Sequence, residues 1–308
     1  MTGLKHSPKT PIALAIALTL AGASNAVGYA AQKPEATADK AAAETNAINH
    51  EKSKLLMEKR QQISKDAREV IIGTQNALMA LDKNDAKKAR TQLQDVLGKL
   101  DILLAKYPNL KLVPADVSAQ IYDLENSYDQ VKKMVDDADD LLDDHKIQDA
   151  RQILNALVSE IRVSTVNIPL GTYPIAIKEA VVQIDANKPE NAKIALENVL
   201  GMLVNTTEVF SLPVLEAESM LTAASELEHK SDLSKDASRQ EVLKLIDAAK
   251  DKLKLAEILG YGTKDDYQSL YNDIDEISDV IHSEKSAATW EKVKTSIASF
   301  KDKIARHL

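Results

Sequence analysis

One pattern recurs three times in this chain, and it limits the fold more than any single motif does. Leu81-Asp82 is followed by Ala89-Arg90, Leu93 and Val96-Leu97. Leu142-Asp143 is followed by Ala150-Arg151, Leu154 and Leu157-Val158, and Ile184-Asp185 by Ala192-Lys193, Leu196 and Val199-Leu200. The internal offsets are identical, while the copies stand 61 and then 42 residues apart. Apolar residues three and four apart form one stripe of a helix. The Asp opens a polar linker, and Pro189 suits the first turn of the helix that follows. Each copy therefore reads as a helical hairpin, with a small Ala at 89, 150 or 192 where the two helices approach. Such repeats build a scaffold with an extended surface rather than a catalytic site.

After each hairpin the period changes. Leu110 to Pro114, Val163 to Pro169 and Val204 to Pro213 are rich in β-branched residues and end in proline, which favours extended backbone. These pieces either pair into a small sheet, the reading favoured here, or run as polyproline-like linkers. Before the repeats, one helix is expected from about Asn49 to Leu81. After them the chain returns to helix over 214–228, 239–259, 265–283 and 287–304, with Gly260 as a breaker and Thr263 with Asp266 in the form of a capping box. The expected fold is mainly α: helix-hairpin repeats, a small β element and a C-terminal helical bundle.

The start of the chain reads as an export signal. Lys5, His6 and Lys9 precede an apolar run from Ile12 to Ala23, too short for a membrane span of roughly 20 residues. Cleavage is expected after Ala26, with Ala23 and Ala30 as alternatives, and the compartment would be the periplasm. The expected organisation is a signal peptide over 1–26, a flexible lead-in over 27–48, a repeat region over 49–213 and a helical region over 214–308. The last two are expected to share one compact domain.

The chain has no cysteine, which removes disulfides, thiolate metal sites and thiol catalysis. The net charge is −8, and losing Lys5 and Lys9 with the leader leaves about −10. An acidic surface repels nucleic acid and anionic headgroups, so neither is expected as a partner.

Sites with chemistry are scarce. His50-Glu51 fails as a zinc-protease helix because Lys54 stands where the second ligand is needed. Asp136, Asp137, Asp139, Asp140, Asp143 and Asp144 are crowded. They lack the central Gly and distal Glu of a calcium loop, so they read as a solvated helix face. Crowding alone would raise their pKa values, whereas pairing with Lys132, Lys133 or Lys146 would act the other way. No catalytic residue, cofactor or metal is expected. Two stretches differ from plain helical packing: Asn167 to Pro174, and Gly260 to Tyr267 with Tyr271 one turn on. Proline and glycine fix the backbone there, and tyrosine offers apolar area with a polar tip. Pro169, Tyr173, Pro174, Tyr261, Gly262, Tyr267 and Tyr271 are the ligand-binding candidates, with pinning of loops to the core as the competing reading.

Asn167–Ala180 (NIPLGTYPIAIKEA) and Leu255–Ile274 (LAEILGYGTKDDYQSLYNDI) resemble the hallmark stretches of the YfdX family, and the resemblance extends from about residue 50 to the C-terminus. It implies an exported enterobacterial protein of mainly helical fold, associated with survival of acid, heat and drug stress, and without an established enzymatic activity. The expected function is non-enzymatic stress protection by binding unfolded proteins or small amphipathic molecules. The alternative is a scaffold or sensor subunit docking on an inner-membrane stress or transport protein. Homo-oligomerisation is compatible with either.

Overall fold

Each repeat turns at the same place and for the same reason. Asn84, His145 and Asn187 adopt φ of 56°, 60° and 55°, and they occupy one position of the repeat. The N–H of the following residue reaches back five residues, Asp85 to Ala80, Lys146 to Leu141 and Lys188 to Gln183, while the left-handed residue itself bonds Leu81, Leu142 or Ile184. This paired bonding satisfies the last carbonyls of a helix and reverses the chain. Asn and His are among the side chains that tolerate the left-handed region. The turn is thus written by a residue just past the Asp of the motif.

The computed structural model describes residues 38–230, 236–281, 283 and 285–307. Ala36–Leu308 forms one compact unit. The signal-peptide reading and residues 27–37 of the lead-in lie outside the described residues, while 38–48 form the start of α1. The described chain is mainly helical, with helices α1 Ala38–Gln61, α2 Lys65–Asp82, α3 Ala86–Lys106, α4 Tyr128–Asp143, α5 Ile147–Ala156, α6 Tyr173–Asp185, α7 Pro189–Gly201, α8 Leu212–Lys230, α9 Asp236–Ile258, α10 Lys264–Val280 and α11 Ser286–Ile304. Strands β1 Leu112–Tyr122, β2 Glu160–Pro169, β3 Val204–Ser211 and the short β4 Arg306–His307 follow the second, third, fourth and last helical groups. No helix among the described residues is long and apolar enough to cross a membrane.

The extended segments do pair. The sheet order is β1-β2-β3-β4, antiparallel throughout. Leu112 faces Pro169 and Asn167 faces Val204 at one end, while Tyr122 faces Glu160 and Glu160 faces Ser211 at the other. Strands that alternate in direction send successive hairpins to opposite ends. Hairpins α2/α3 and α6/α7 therefore meet at one end, and α4/α5 joins the C-terminal helices at the other. β1 continues eight residues beyond Pro114. The proline is accommodated because the register shifts between Pro114 and Asp116, where a missing N–H breaks no ladder bond.

The single helix expected from Asn49 to Leu81 is two. Ser64 stands in extended backbone and its hydroxyl oxygen accepts from the Ala67 N–H at 3.0 Å, starting α2 afresh. Ala89, Ala150 and Ala192 are all fully buried. The repeat also extends back through the first helix of each hairpin, since Ala77, Ala138 and Ala180 share one repeat position and are all buried. Three apolar cores result. One joins α2, α3, α6 and α7 through Leu81, Leu93, Leu100, Ile177 and Leu196. One joins α8 to α11 around Trp290, Tyr267, Ile246 and Leu253. The smallest seals one sheet face, Val117, Ile161 and Val163, beneath Leu55 of α1 and Leu212 and Leu215 of α8.

Candidate functional site: an open groove between α4, α8 and α9

The tyrosines singled out from the sequence pack inward. Tyr173 is fully buried in the first core. Its hydroxyl donates to Thr74 Oγ1 at 3.2 Å, and burial pushes its pKa up to about 12. Pro174 is buried in the first turn of α6 and Pro169 ends β2. The stretch expected to present a rigid loop is instead the end of a strand and the start of a helix, joined by a turn of three residues. Proline fits both places because each lacks a partner for its missing N–H.

Tyr261, Gly262, Tyr267 and Tyr271 come together at the α9–α10 turn. Gly260 and Gly262 have φ of 77° and 104°, which side chains rarely adopt. Tyr261 is buried and joins two parts of the fold. Its hydroxyl donates to Glu160 Oε2 at 2.8 Å and accepts from the Ser159 N–H at 3.1 Å. Arg162 donates to the other oxygen of Glu160 at 2.5 Å, and its guanidinium lies 4.4 Å over the Tyr122 ring. Tyr267 is fully buried, donates to the Tyr261 carbonyl at 2.5 Å and meets Phe300 edge to face with ring centroids 4.7 Å apart. Half-buried Tyr271 donates to Glu257 Oε2 at 3.1 Å. Burial raises the pKa of Tyr267 and Tyr271 well above the ordinary phenol value. This cluster clasps the C-terminal bundle to β2, and the Tyr261 and Tyr267 rings are buried within it. The first group of candidates, around Tyr173, sits in a different core.

The open surface lies elsewhere. A groove of about 840 Å³ runs between the N-terminus of α4 and helices α8 and α9. Met220, Leu245, Ala248 and Leu255 give it an apolar floor, and Tyr128, 43% exposed, forms one wall. Glu241, Lys244, Asp251, Lys252 and Lys254 edge it. Lys252 is held by Glu216 at 2.7 Å and Lys254 by Asp251 at 2.9 Å. The size lies in the range of small-molecule sites, and an apolar floor with a few fixed polar groups is their usual composition.

Sequence reasoning missed this groove, although a signal was present. In α9, Val242, Ile246, Ala249, Leu253 and Ala256 form one buried stripe. Leu245, Ala248 and Leu255 form a second, each one residue before a member of the first, and they line the groove, Leu245 also packing against the C-terminal core. A helix with two apolar stripes has more apolar face than one core needs. The α4 wall could not be read in the same way, because Tyr128 reaches the groove only through the packing of α4 beside α9.

The acidic cluster lies on the exposed side of α4 and its end. Lys132 pairs with Asp136 at 2.7 Å, Lys133 with Asp137 at 2.6 Å and Lys146 with Asp144 at 2.8 Å. Three of the six carboxylates thus stand against a cation, two of them one helical turn away on α4.

Residues 70–209, just under half of the chain, match the family model described as YfdX protein. Over those residues the chain is similar to the YfdX family. The matched region contains the three hairpins except the first turn of α2 and almost all of β1 to β3, and it includes the first hallmark stretch. Leu255–Ile274 falls outside it, so the matched region is narrower than the sequence suggested. A solved structure of Salmonella Typhi YfdX matches at 12% identity over 49% of this chain and 93% of that one, with a TM-score of 0.35. No curated protein matches the chain.

Proposed function

We propose that the chain is an exported, non-enzymatic stress-protection protein that takes small amphipathic molecules in the α4/α8/α9 groove. The observation that carries this reading is the groove itself. Its apolar floor of Met220, Leu245, Ala248 and Leu255 is open, while its rim of Lys and carboxylate groups would hold a polar end. The lining offers two carboxylates, three ammonium groups, an amide and a phenol, and three of those ions lie in the pairs that hold Lys252 and Lys254. A bound molecule would therefore be retained rather than converted. The YfdX resemblance supports the setting in stress survival, and the basic-apolar start of the sequence supports export to the periplasm.

Titration with an apolar fluorescent anion such as anilinonaphthalene sulfonate tests the reading. Ala248→Trp fills the groove, and Leu245→Glu places a charge on its floor. Each variant is expected to weaken dye binding roughly tenfold or more, the scale of one lost apolar anchor, with helicity unchanged by circular dichroism. Dye affinity unchanged in both folded variants would reject the groove as the site. Suppression of client aggregation that survives both variants would favour unfolded proteins bound elsewhere.

A further inference from the structure

Hairpins α2/α3 and α6/α7 meet as a pseudo-twofold pair. The first helix of each packs on the second helix of the other, α2 on α7 and α3 on α6. The charged residues of the repeat motif follow the same reciprocity. Arg90 of the first copy donates to Asp185 of the third at 2.6 Å. Lys193 of the third copy stands 3.6 Å from Asp82 of the first. Between these pairs the motif leucines disappear from solvent, with Leu81 at 1% exposure and Leu93 and Leu196 at 0%. The Asp and the cation of the motif are thus complementary to those of another copy of the motif, and the stripe between them is buried by that copy.

The middle copy has the same residues and no such partner. Leu142 is 42% exposed, Leu154 46% and Ile147 61%. Asp143 and Arg151 are exposed and make no ion pair among the described residues. The chain contains three copies of the motif, and two of them already satisfy each other.

We propose that the α4/α5 hairpin is a homodimer interface, in which a second copy of this chain repeats with a true twofold axis the contact made internally by the first and third repeats. Arg151 would meet the second copy's Asp143, and Asp143 its Arg151, around a core of Leu142 and Leu154 from both chains. A twofold contact must be self-complementary, and a motif carrying both charges beside one apolar stripe has that property. Part of the acidic cluster faces away from this contact. Leu142 continues the buried stripe Val131, Met134 and Ala138, whereas Asp136 and Asp140 lie about 200° around the helix from Ala138, at about 100° per residue.

Sedimentation velocity of the full chain across a concentration series tests the proposal, with the double variant as the deciding measurement. The wild type is expected to dimerise. Arg151→Asp or Asp143→Arg alone places like charges opposite each other at two symmetry-related points, and each should weaken the dimer roughly tenfold or more. The double variant carrying both exchanges restores both pairs and should recover the wild-type constant. Leu154→Glu should leave a monomer with unchanged helicity. Dye binding in the groove is measured in parallel and is expected to persist in every variant, so failure of this interface is distinguishable from failure of the groove. A wild type that stays monomeric at high concentration overturns the proposal. So does a dimer indifferent to the single exchanges, or one that they weaken and the double variant does not restore.

Discussion

One motif position occurs in three environments, so truncating it there should cost three different amounts. Leu93, Leu154 and Leu196 occupy the same place in the repeat, yet Leu93 and Leu196 are fully buried and Leu154 is 46% exposed. Leu→Ala removes three carbons. At about 0.8 kcal/mol per buried methylene, the transfer loss for a fully buried leucine is about 2.4 kcal/mol. The cavity left between packed helices adds to that, giving about 3–4 kcal/mol for Leu93→Ala or Leu196→Ala. At Leu154 roughly half the transfer loss applies and no closed cavity forms, so about 1 kcal/mol is expected from the monomer. Urea denaturation followed by circular dichroism reads the difference. With a slope of about 3 kcal/mol per molar, the midpoint should fall by about 1 M for the two buried positions and by about 0.3 M for Leu154. The protein must be dilute enough to be monomeric. Equal midpoints for Leu154→Ala and Leu196→Ala under those conditions would refute the claim that the middle hairpin lacks an internal partner.

Tyr261→Phe leaves the buried Glu160 carboxylate and the Ser159 N–H each without its phenol partner. A loss of about 1–3 kcal/mol in unfolding free energy is expected, and an unchanged denaturation midpoint would show the clasp to be idle. His145→Gly relieves a side chain held at φ 60°. It should leave stability unchanged or raise it by up to about 1 kcal/mol, while Asn187→Val should lower it, as read from thermal midpoints. The pH response follows from carboxylates whose folded pKa is depressed. Bonds from Lys303 and Thr263 hold Asp266 at about 2. Asp273 is lowered by Lys292 and Ser296 against the opposing effect of its burial, and Asp185 is lowered by Arg90. Such groups contribute stability above their unfolded pKa, about 3.9, and lose it as pH falls through the folded value. The thermal midpoint should therefore hold from pH 7 to about 4 and fall between about 4 and 2. Loss of helicity already at pH 5 would place the acid response in other groups.

The mainly α class, the hairpin repeats, the breaker at Gly260 and the capping box at Thr263 were all legible in the sequence, because each rests on local physics. Helical periodicity, a left-handed turn residue and a proline in a first turn depend on neighbours a few positions away. The candidate site was not legible in the same way. Tyr173, Tyr261 and Tyr267 stand among proline and glycine like binding residues, but the partners that bury them, Thr74, Glu160 and Phe300, are 99, 101 and 33 positions distant. Nothing local shows whether a tyrosine meets solvent or a buried acceptor.

The repeat shows the same division most clearly. The sequence alone determined that three hairpins share one design, with an Asp, a cation and an apolar stripe at fixed offsets. Which two of them pair was decided by the sheet. Antiparallel strands send the first and third hairpins to one end, where Asp82, Arg90, Asp185 and Lys193 can meet, and leave the second at the other. Identical stripes were therefore buried in two copies and left open in one, because strand direction, a tertiary property, sets which faces come within reach.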